Sequence, residues 1–194
     1  MSHSAQFRGA TASDVPALLD LMVISSWGGI REAWSRAAMP GETWQQRGIA
    51  ELADARCEIG YSRFVVAHSK GRIAGMVLLN LVGDTSTMDP SREPPEQAGA
   101  VALIKEARHS LFIREFAIAE WARGEGLAKE FLRLTEQLTL SNNLRRVTLI
   151  VNDANAPAHT LYAKAGYTQI HQEPSIGHPS FPDSSMLLLM EKGV

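Results

Sequence analysis

A chain of 194 residues, 45% apolar and 21% charged, is long enough to bury the core of one domain without disulfide or metal staples. Its net charge of −2 and pI near 6.3 argue against bulk attraction to nucleic acid or an anionic membrane, and no apolar run approaches the ~18 residues of a membrane span. The lone Cys57 cannot close an internal disulfide, and Met1–Gln6 lacks the basic-then-apolar pattern of a leader, so the expected compartment is the reducing cytoplasm.

In chain order, Phe7–Ala10 reads as a short strand, and Thr11–Asp14 offers caps for a helix whose apolar face is Val15, Leu18, Leu19 and Met22. The chain turns at Trp27-Gly28-Gly29. Helical segments follow over Ile30–Ala38 and Glu42–Ala55, parted by Pro40-Gly41. Arg63–His68 and Ile73–Val82 are strands, and Ser69-Lys70-Gly71-Arg72 between them is a hairpin signal. Asp84–Gln97, with three prolines and several charges, reads as a loop, and Ala98–Ala107 as a short helix.

Leu111–Ile118 is apolar on both faces apart from Arg114 and Glu115, as in a buried strand. It leads into Arg123-Gly124-Glu125-Gly126-Leu127-Ala128. A helix follows whose apolar residues are Leu127, Phe131, Leu134 and Leu138. A strand that turns through glycines into a helix leaves backbone N–H groups without helical partners, and these, with the helix dipole, suit a phosphate. Arg123 adds a planar donor fork. A P-loop would need Gly-Lys-Ser/Thr where Leu127 and Ala128 stand. A dinucleotide fingerprint would need a third glycine where Lys129 stands. Arg145–Val151 then reads as a β-branched strand, Asn152–Asn155 as a turn and cap, and Ala156–Ala165 as a short helix with Pro157 in its first turn and Gly166 just past its end. Tyr167–Gln172, a loop over Glu173–Ser184 and a final strand Ser185–Met190 complete the chain.

Together these residues resemble the GNAT family of acyl-CoA-dependent N-acetyltransferases. The family's pyrophosphate loop, [Q/R]-x-x-G-x-[G/A], is matched by Arg123–Ala128. Its later motif, N-x-x-A-x-x-L-Y-x-[K/R]-x-G-[F/Y], is matched by Asn155, Ala158, Leu161, Tyr162, Lys164, Gly166 and Tyr167. The resemblance is firm over Leu111–Tyr167 and weak over Asp84–His109. It implies an α/β (α+β) fold: a single domain over residues 1–194 with an insertion at 84–109. The mixed central sheet would have six to seven strands flanked by helices, in the order β-α-α-β-β-β-α-β-α-β-β, splayed between strands 4 and 5.

The resemblance further implies acetyl-CoA as acyl donor. Its pyrophosphate would lie on the backbone of Arg123, Gly124, Glu125, Gly126, Leu127 and Ala128. Its pantetheine arm would pair with Phe116, Ala117 and Ile118, with Phe116 or Ile118 N–H near the thioester carbonyl, while Asn155, Ala158 and Tyr162 complete the cofactor contacts. Tyr162 is the expected acid toward the departing thiolate, or else a core tyrosine beside Leu161. Asn155 is a cap, a cofactor contact or both. Glu115, an ionisable side chain in an apolar strand, is the expected base, unless it pairs with neighbouring charges or an ordered water does that work. His171 and His178 lack metal-ligand spacing, so no metal is expected.

The expected acceptor is a primary amine of a small molecule, attacked directly in a ternary complex. The alternatives are a protein or peptide acetyltransferase and a non-catalytic acyl-CoA-binding sensor. Homodimerisation is left open. Trp27, Trp34 and Trp44 are either acceptor-pocket or core residues. Asp84, Asp89, Glu93 and Glu96 either attract a cationic amine or are simply solvated.

Overall fold

In the computed structural model, residues 5–194 are described; Met1–Ser4, part of the stretch read for a leader, lie outside them. Strands β1 (Gln6–Gly9), β2 (Phe64–Ser69), β3 (Arg72–Val82), β4 (Ser110–Ile118), β5 (Arg146–Asn152), β6 (Thr168–Pro174) and β7 (Met186–Gly193) form a mixed sheet in the order β1-β2-β3-β4-β5-β7-β6. The helices are α1 (Val15–Ser25), α2 (Gly29–Ala37), α3 (Trp44–Ala53), α4 (Pro95–Glu106), α5 (Leu127–Ser141) and α6 (Ala156–Lys164). The α/β class is as expected. The helices α3 and α4 exceed the family order given above.

Packing divides the chain into two compact units, one comprising residues up to Leu79 with Glu115–Ala128, the other Asn80–Arg114 with Lys129–Val194. In the first, β1 pairs antiparallel with β2 from Gln6–His68 to Gly9–Val65. The β2–β3 hairpin closes through Lys70 (φ +50°) and Gly71 (φ +80°), the positive pair that a two-residue turn needs to match strand twist. Asp14 at the start of α1 takes two bonds from the Arg8 guanidinium (2.6 and 3.0 Å) and one from Thr11 N–H (2.8 Å), which ties β1 to the helix. The arginine bond, above all, holds the buried Asp14 carboxyl down at about 2.

The four predicted apolar residues of α1 are buried, as is Leu21. They pack with Trp34, Leu52, Phe64, Val66, Met76, Leu78 and Ala117 in one core. The backbone of α3 approaches so closely that a Cβ on Gly48 would lie 2.6 Å from Leu19 Cδ1 and 2.8 Å from the Trp34 ring.

In the second unit, β4 runs parallel to β5, but the ladder has only three pairs, Leu111–Val147 to Ile113–Leu149. β4 continues to Ile118 and β5 to Asn152, so the pairing stops while both strands go on: this is the expected splay. At the foot of the ladder the fully buried Ser110 hydroxyl donates to Ala107 carbonyl (2.5 Å) and shares a bond with Thr148 Oγ1 (2.6 Å). β7 pairs antiparallel with β5 and β6. Leu103 and Ala107 of the α4 end pack with Phe112 and Leu189.

Two boundaries depart from the sequence reading. The helix expected at Ala98–Ala107 begins at Pro95, inside the expected loop. Pro94 and Pro95 stand at its cap and first position, where a missing N–H costs nothing, so these prolines start a helix rather than exclude one. On α5, Leu134 and Leu138 are only half-buried, whereas Thr135 and Thr139 are buried beside Phe131 and Leu132. The threonines bury at low cost because each hydroxyl donates to the carbonyl one turn back, Phe131 at 2.9 Å and Thr135 at 2.8 Å.

Candidate active site

The glycine loop begins where β4 ends. Ala119 N–H donates to Ala74 carbonyl (2.9 Å), and a 3-10 turn over Glu120–Ala122 carries the chain to Arg123. Gly124 (φ +81°) and Gly126 (φ +87°) then bend it into α5. A Cβ on either glycine would meet no atom within 4 Å. Their backbone conformation, not crowding, calls for glycine, and the space beside them is open. Leu127 anchors the first turn of α5 against Ala74 and Ala122. Leu127 and Ala128 thus start a helix whose leading N–H groups have no carbonyl one turn back.

Cations surround this loop. Arg123 is exposed and lies 4.0 Å from Glu120. Glu125 is held by Lys70 from the β2–β3 turn, and the Arg72 guanidinium sits 3.8 Å over the Trp121 ring. Lys70 and Arg72 carry no motif; only the hairpin signal at Ser69–Arg72 hinted that they would share one turn.

On the last part of β4, the half-buried Glu115 carboxylate accepts a hydrogen bond from Ser25 Oγ at 2.6 Å, and Ser25 Oγ itself accepts from Phe116 N–H at 3.0 Å. Successive strand amides point to opposite edges. Ala119 N–H turns to β3, so Ala117 shares that edge, and the N–H groups of Phe116 and Ile118 face the other one. Of those two, Phe116 is committed to Ser25. Ser25, ninety positions from Glu115, was not among the residues singled out in the sequence, and no local signal pointed to it.

Tyr162, Asn155 and Ala158 lie on or beside α6. Asn155 caps the helix by accepting from Ala158 N–H (3.2 Å), and Gly166 ends it at φ +91°. Tyr162 is buried, its ring edge-on to that of Tyr167 (61°, 5.7 Å). Burial, then Glu136, raises the Tyr167 phenol well above its ordinary range, and its hydroxyl is unpartnered among the described residues. Lys164 is exposed, as expected. Asn152 makes the expected turn, its Oδ1 accepting from Ala154 N–H (2.9 Å) and its carbonyl from Asn155 N–H (2.9 Å), and its buried amide nitrogen also donates to Ser175 and Ser185 (3.0 Å each), closing the neck of the β6–β7 loop.

Of the tryptophans, Trp34 is buried and donates to Glu51 (3.0 Å), Trp44 stacks on it at 6.3 Å, and Trp27 is 44% exposed at φ +50°. Asp84 is lowered by accepting from Ser86 N–H and then its hydroxyl, and Asp89 by accepting from the Ser91 hydroxyl and then its N–H. Among the described residues no cluster of three His, Cys, Asp or Glu is placed to hold a metal, and no helix is long and apolar enough to cross a membrane.

The model of the acetyltransferase (GNAT) family matches residues 27–167. No curated protein is similar enough to count as a relative. Among solved structures, one acetyltransferase is 17% identical with a TM-score of 0.66, over 97% of this chain and 99% of that one. An N-acetyltransferase from Staphylococcus aureus Mu50 is 16% identical with a TM-score of 0.61, over 98% of both chains. A ribosomal-protein-alanine N-acetyltransferase from Brucella melitensis is 18% identical with a TM-score of 0.60, over 97% of this chain and 99% of that one. These likenesses concern the fold; the family match spans most of the chain and includes both motifs. The chain belongs to the GNAT family of acetyltransferases.

Proposed function

We propose that this protein is an acetyl-CoA-dependent N-acetyltransferase acting on a primary amine of a small molecule. The observation that carries the reading is the pair of positive-φ glycines, open on their Cβ side, between β4 and the 15-residue helix α5. Residues Arg123 to Ala128 fit the cofactor's pyrophosphate: the space beside Gly124 and Gly126 is open, the loop leads into a helix N-terminus, and Arg123 supplies charge. Acetyl-CoA brings an acetyl group activated as a thioester.

The rest is work for side chains and backbone. The β4 edge that carries Phe116 and Ile118 pairs along the pantetheine arm. Ile118 N–H polarises the thioester oxygen, since Phe116 N–H is held by Ser25. Glu115 takes a proton from the amine as nitrogen bonds the acetyl carbon, and the carbon–sulfur bond breaks as Tyr162 protonates the sulfur. Phenol and thiol reference pKa values of about 10 and about 8.5 make that last transfer slightly uphill and within reach of a positioned donor. No acyl-enzyme is needed.

Two features favour a small acceptor over a polypeptide. Helix α4 fills the connection between β3 and β4, and the β6–β7 loop is clasped at its neck by Asn152. Both would narrow an open groove. The peptide reading has the Brucella protein on its side, a likeness of fold alone. The single cysteine and charge balance suit the cytoplasm.

The test is calorimetric binding of acetyl-CoA, CoA and desulfo-CoA, followed by thiol release over polyamines, aminoglycosides, amino acids and short peptides. Micromolar binding with release from one small-molecule class is the expected result. Release from peptides alone would move the acceptor class, binding without any release would favour a sensor, and no binding would overturn the proposal.

A further inference from the structure

We propose that Ser25 is a positioning residue for Glu115: its hydroxyl holds the carboxylate in the orientation in which it takes the substrate's proton. The inference rests on Glu115 being the base. Ser25 Oγ accepts from Phe116 N–H at 3.0 Å, so its single proton is free to point only elsewhere, and Glu115 Oε2 lies 2.6 Å away. One backbone amide thereby orients a hydroxyl, and the hydroxyl orients a carboxylate.

Serine near a helix end has a default partner, the carbonyl one turn back. In this chain Ser26, Ser35 and Ser141 each take it, donating to Met22, Arg31 and Gln137. Ser25, the last residue of α1, does not. It reaches to β4, and both bonds that its hydroxyl makes are to that strand.

The reach comes from a rigid base. Leu18, Leu21 and Met22, one to two turns earlier, are buried in the core. The corner that follows is tied by Gly28 N–H to Val23 carbonyl (3.0 Å) and by Ile30 N–H to Ser26 Oγ (3.1 Å). A hydroxyl fixed at both ends of its backbone can hold a carboxylate in one rotamer.

The chemical consequence concerns a single proton. As the amine's N–H bond breaks, an O–H bond forms on the Glu115 carboxylate that Ser25 holds. The Ser25 bond persists afterwards, because the carbonyl oxygen of a carboxylic acid still accepts.

The experiment is a double-mutant cycle on turnover, with acetyl-CoA and the panel amine that the parent uses fastest. Glu115→Gln alone should lower kcat by about 100-fold or more. Ser25→Ala alone should lower kcat by about 10- to 100-fold, with KM for acetyl-CoA changed less than about threefold, and Ser25→Thr, which keeps the hydroxyl, should stay within about threefold of the parent. In the Glu115→Gln background, Ser25→Ala should cost less than about twofold more.

Multiplicative losses in the double variant would show that Ser25 acts on something other than Glu115 and overturn the inference. So would a Ser25→Thr variant as slow as Ser25→Ala while melting like the parent. Parental turnover by Glu115→Gln, or no thiol release by the parent with any amine, would instead remove the underlying reading, and Ser25's role with it.

Discussion

Gly126→Ala separates a phosphate cradle from a mere turn. Residue 126 sits at φ +87°, and an added Cβ meets nothing within 4 Å, so the substitution adds strain without a clash. An L-residue in the left-handed region costs about 1–2 kcal/mol. Replacing glycine also stiffens the unfolded chain, which returns about 0.4–1 kcal/mol. The net is about 1 kcal/mol, a fall in Tm of about 2–4 °C for a chain of this size. Binding should suffer far more. If residue 126 relaxes toward negative φ, the amide leading into Leu127 swings away. One hydrogen bond to a charged group, about 1.5–3 kcal/mol, is then lost, and Kd for CoA rises about 10- to 100-fold.

The matched control is Gly41→Ala. Gly41 has φ +85° and the same open surroundings, in the turn between α2 and α3. Calorimetry with CoA and thermal melts on both variants decide the matter. Equal small losses of Tm with a selective loss of CoA affinity in Gly126→Ala is the expected pattern. Unchanged affinity in that variant, with the Tm loss present, would refute the reasoning: the glycine would then serve only the turn.

Other outcomes follow from single contacts. Tyr162→Phe keeps the ring packed on Tyr167; kcat should fall about 10- to 1000-fold with CoA affinity within about threefold, and unchanged turnover would remove Tyr162 as the acid. Asp14 stands at about 2 when folded against an ordinary 3.8, so its contribution is complete above about pH 5 and is lost as pH falls toward 2. That is worth about 2 kcal/mol, reduced to about 1–2 by the solvent around Arg8. Urea melts of Asp14→Asn should therefore show a destabilised protein at pH 7 with a flatter profile between pH 5 and 2 than the parent. Gly48→Ala forces a Cβ against Leu19 and Trp34 and should cost about 1–3 kcal/mol; a more stable variant would mean the α1–α3 contact is loose.

What the sequence made legible was local. Arg123–Ala128 and Asn155–Tyr167 are short runs whose conformation is written in glycine and capping residues, and Gly124, Gly126 and Gly166 take the left-handed geometry those runs call for. The hairpin at Lys70-Gly71 was readable for the same reason. Contacts between distant residues were not. Ser25 looks like any serine at the end of an apolar helix until β4 is placed beside it. Asn152 is the turn former it looks like, but nothing near it in sequence announces that Ser175 and Ser185 come round to its amide. On α5, periodicity favoured Leu134 and Leu138 because it ranks residues by apolarity. It could not see that Thr135 and Thr139 neutralise their own hydroxyls within the helix. The prolines before α4 were read as breakers because composition alone does not say which side of a helix start they occupy.

β4 joins these levels, since its two ends solve different problems. Its first residues need fixing, and the sequence spends a buried serine there: Ser110 clasps Thr148 and the carbonyl of Ala107, beside the three-pair ladder to β5. Past Ile113 the strand leaves that ladder, and an edge amide released in this way is a liability unless something takes it up. Ser25 takes the one at Phe116, and in doing so turns its own proton toward Glu115. Ala119 is tied back to Ala74 before the turn into the glycine loop. The amide of Ile118 lies on the same edge as that of Phe116, and under the proposed function it is the one that polarises the thioester. A carboxylate in the middle of an apolar strand thus has a physical reason to be tolerated: it is solvated by a hydroxyl that the strand's own backbone orients.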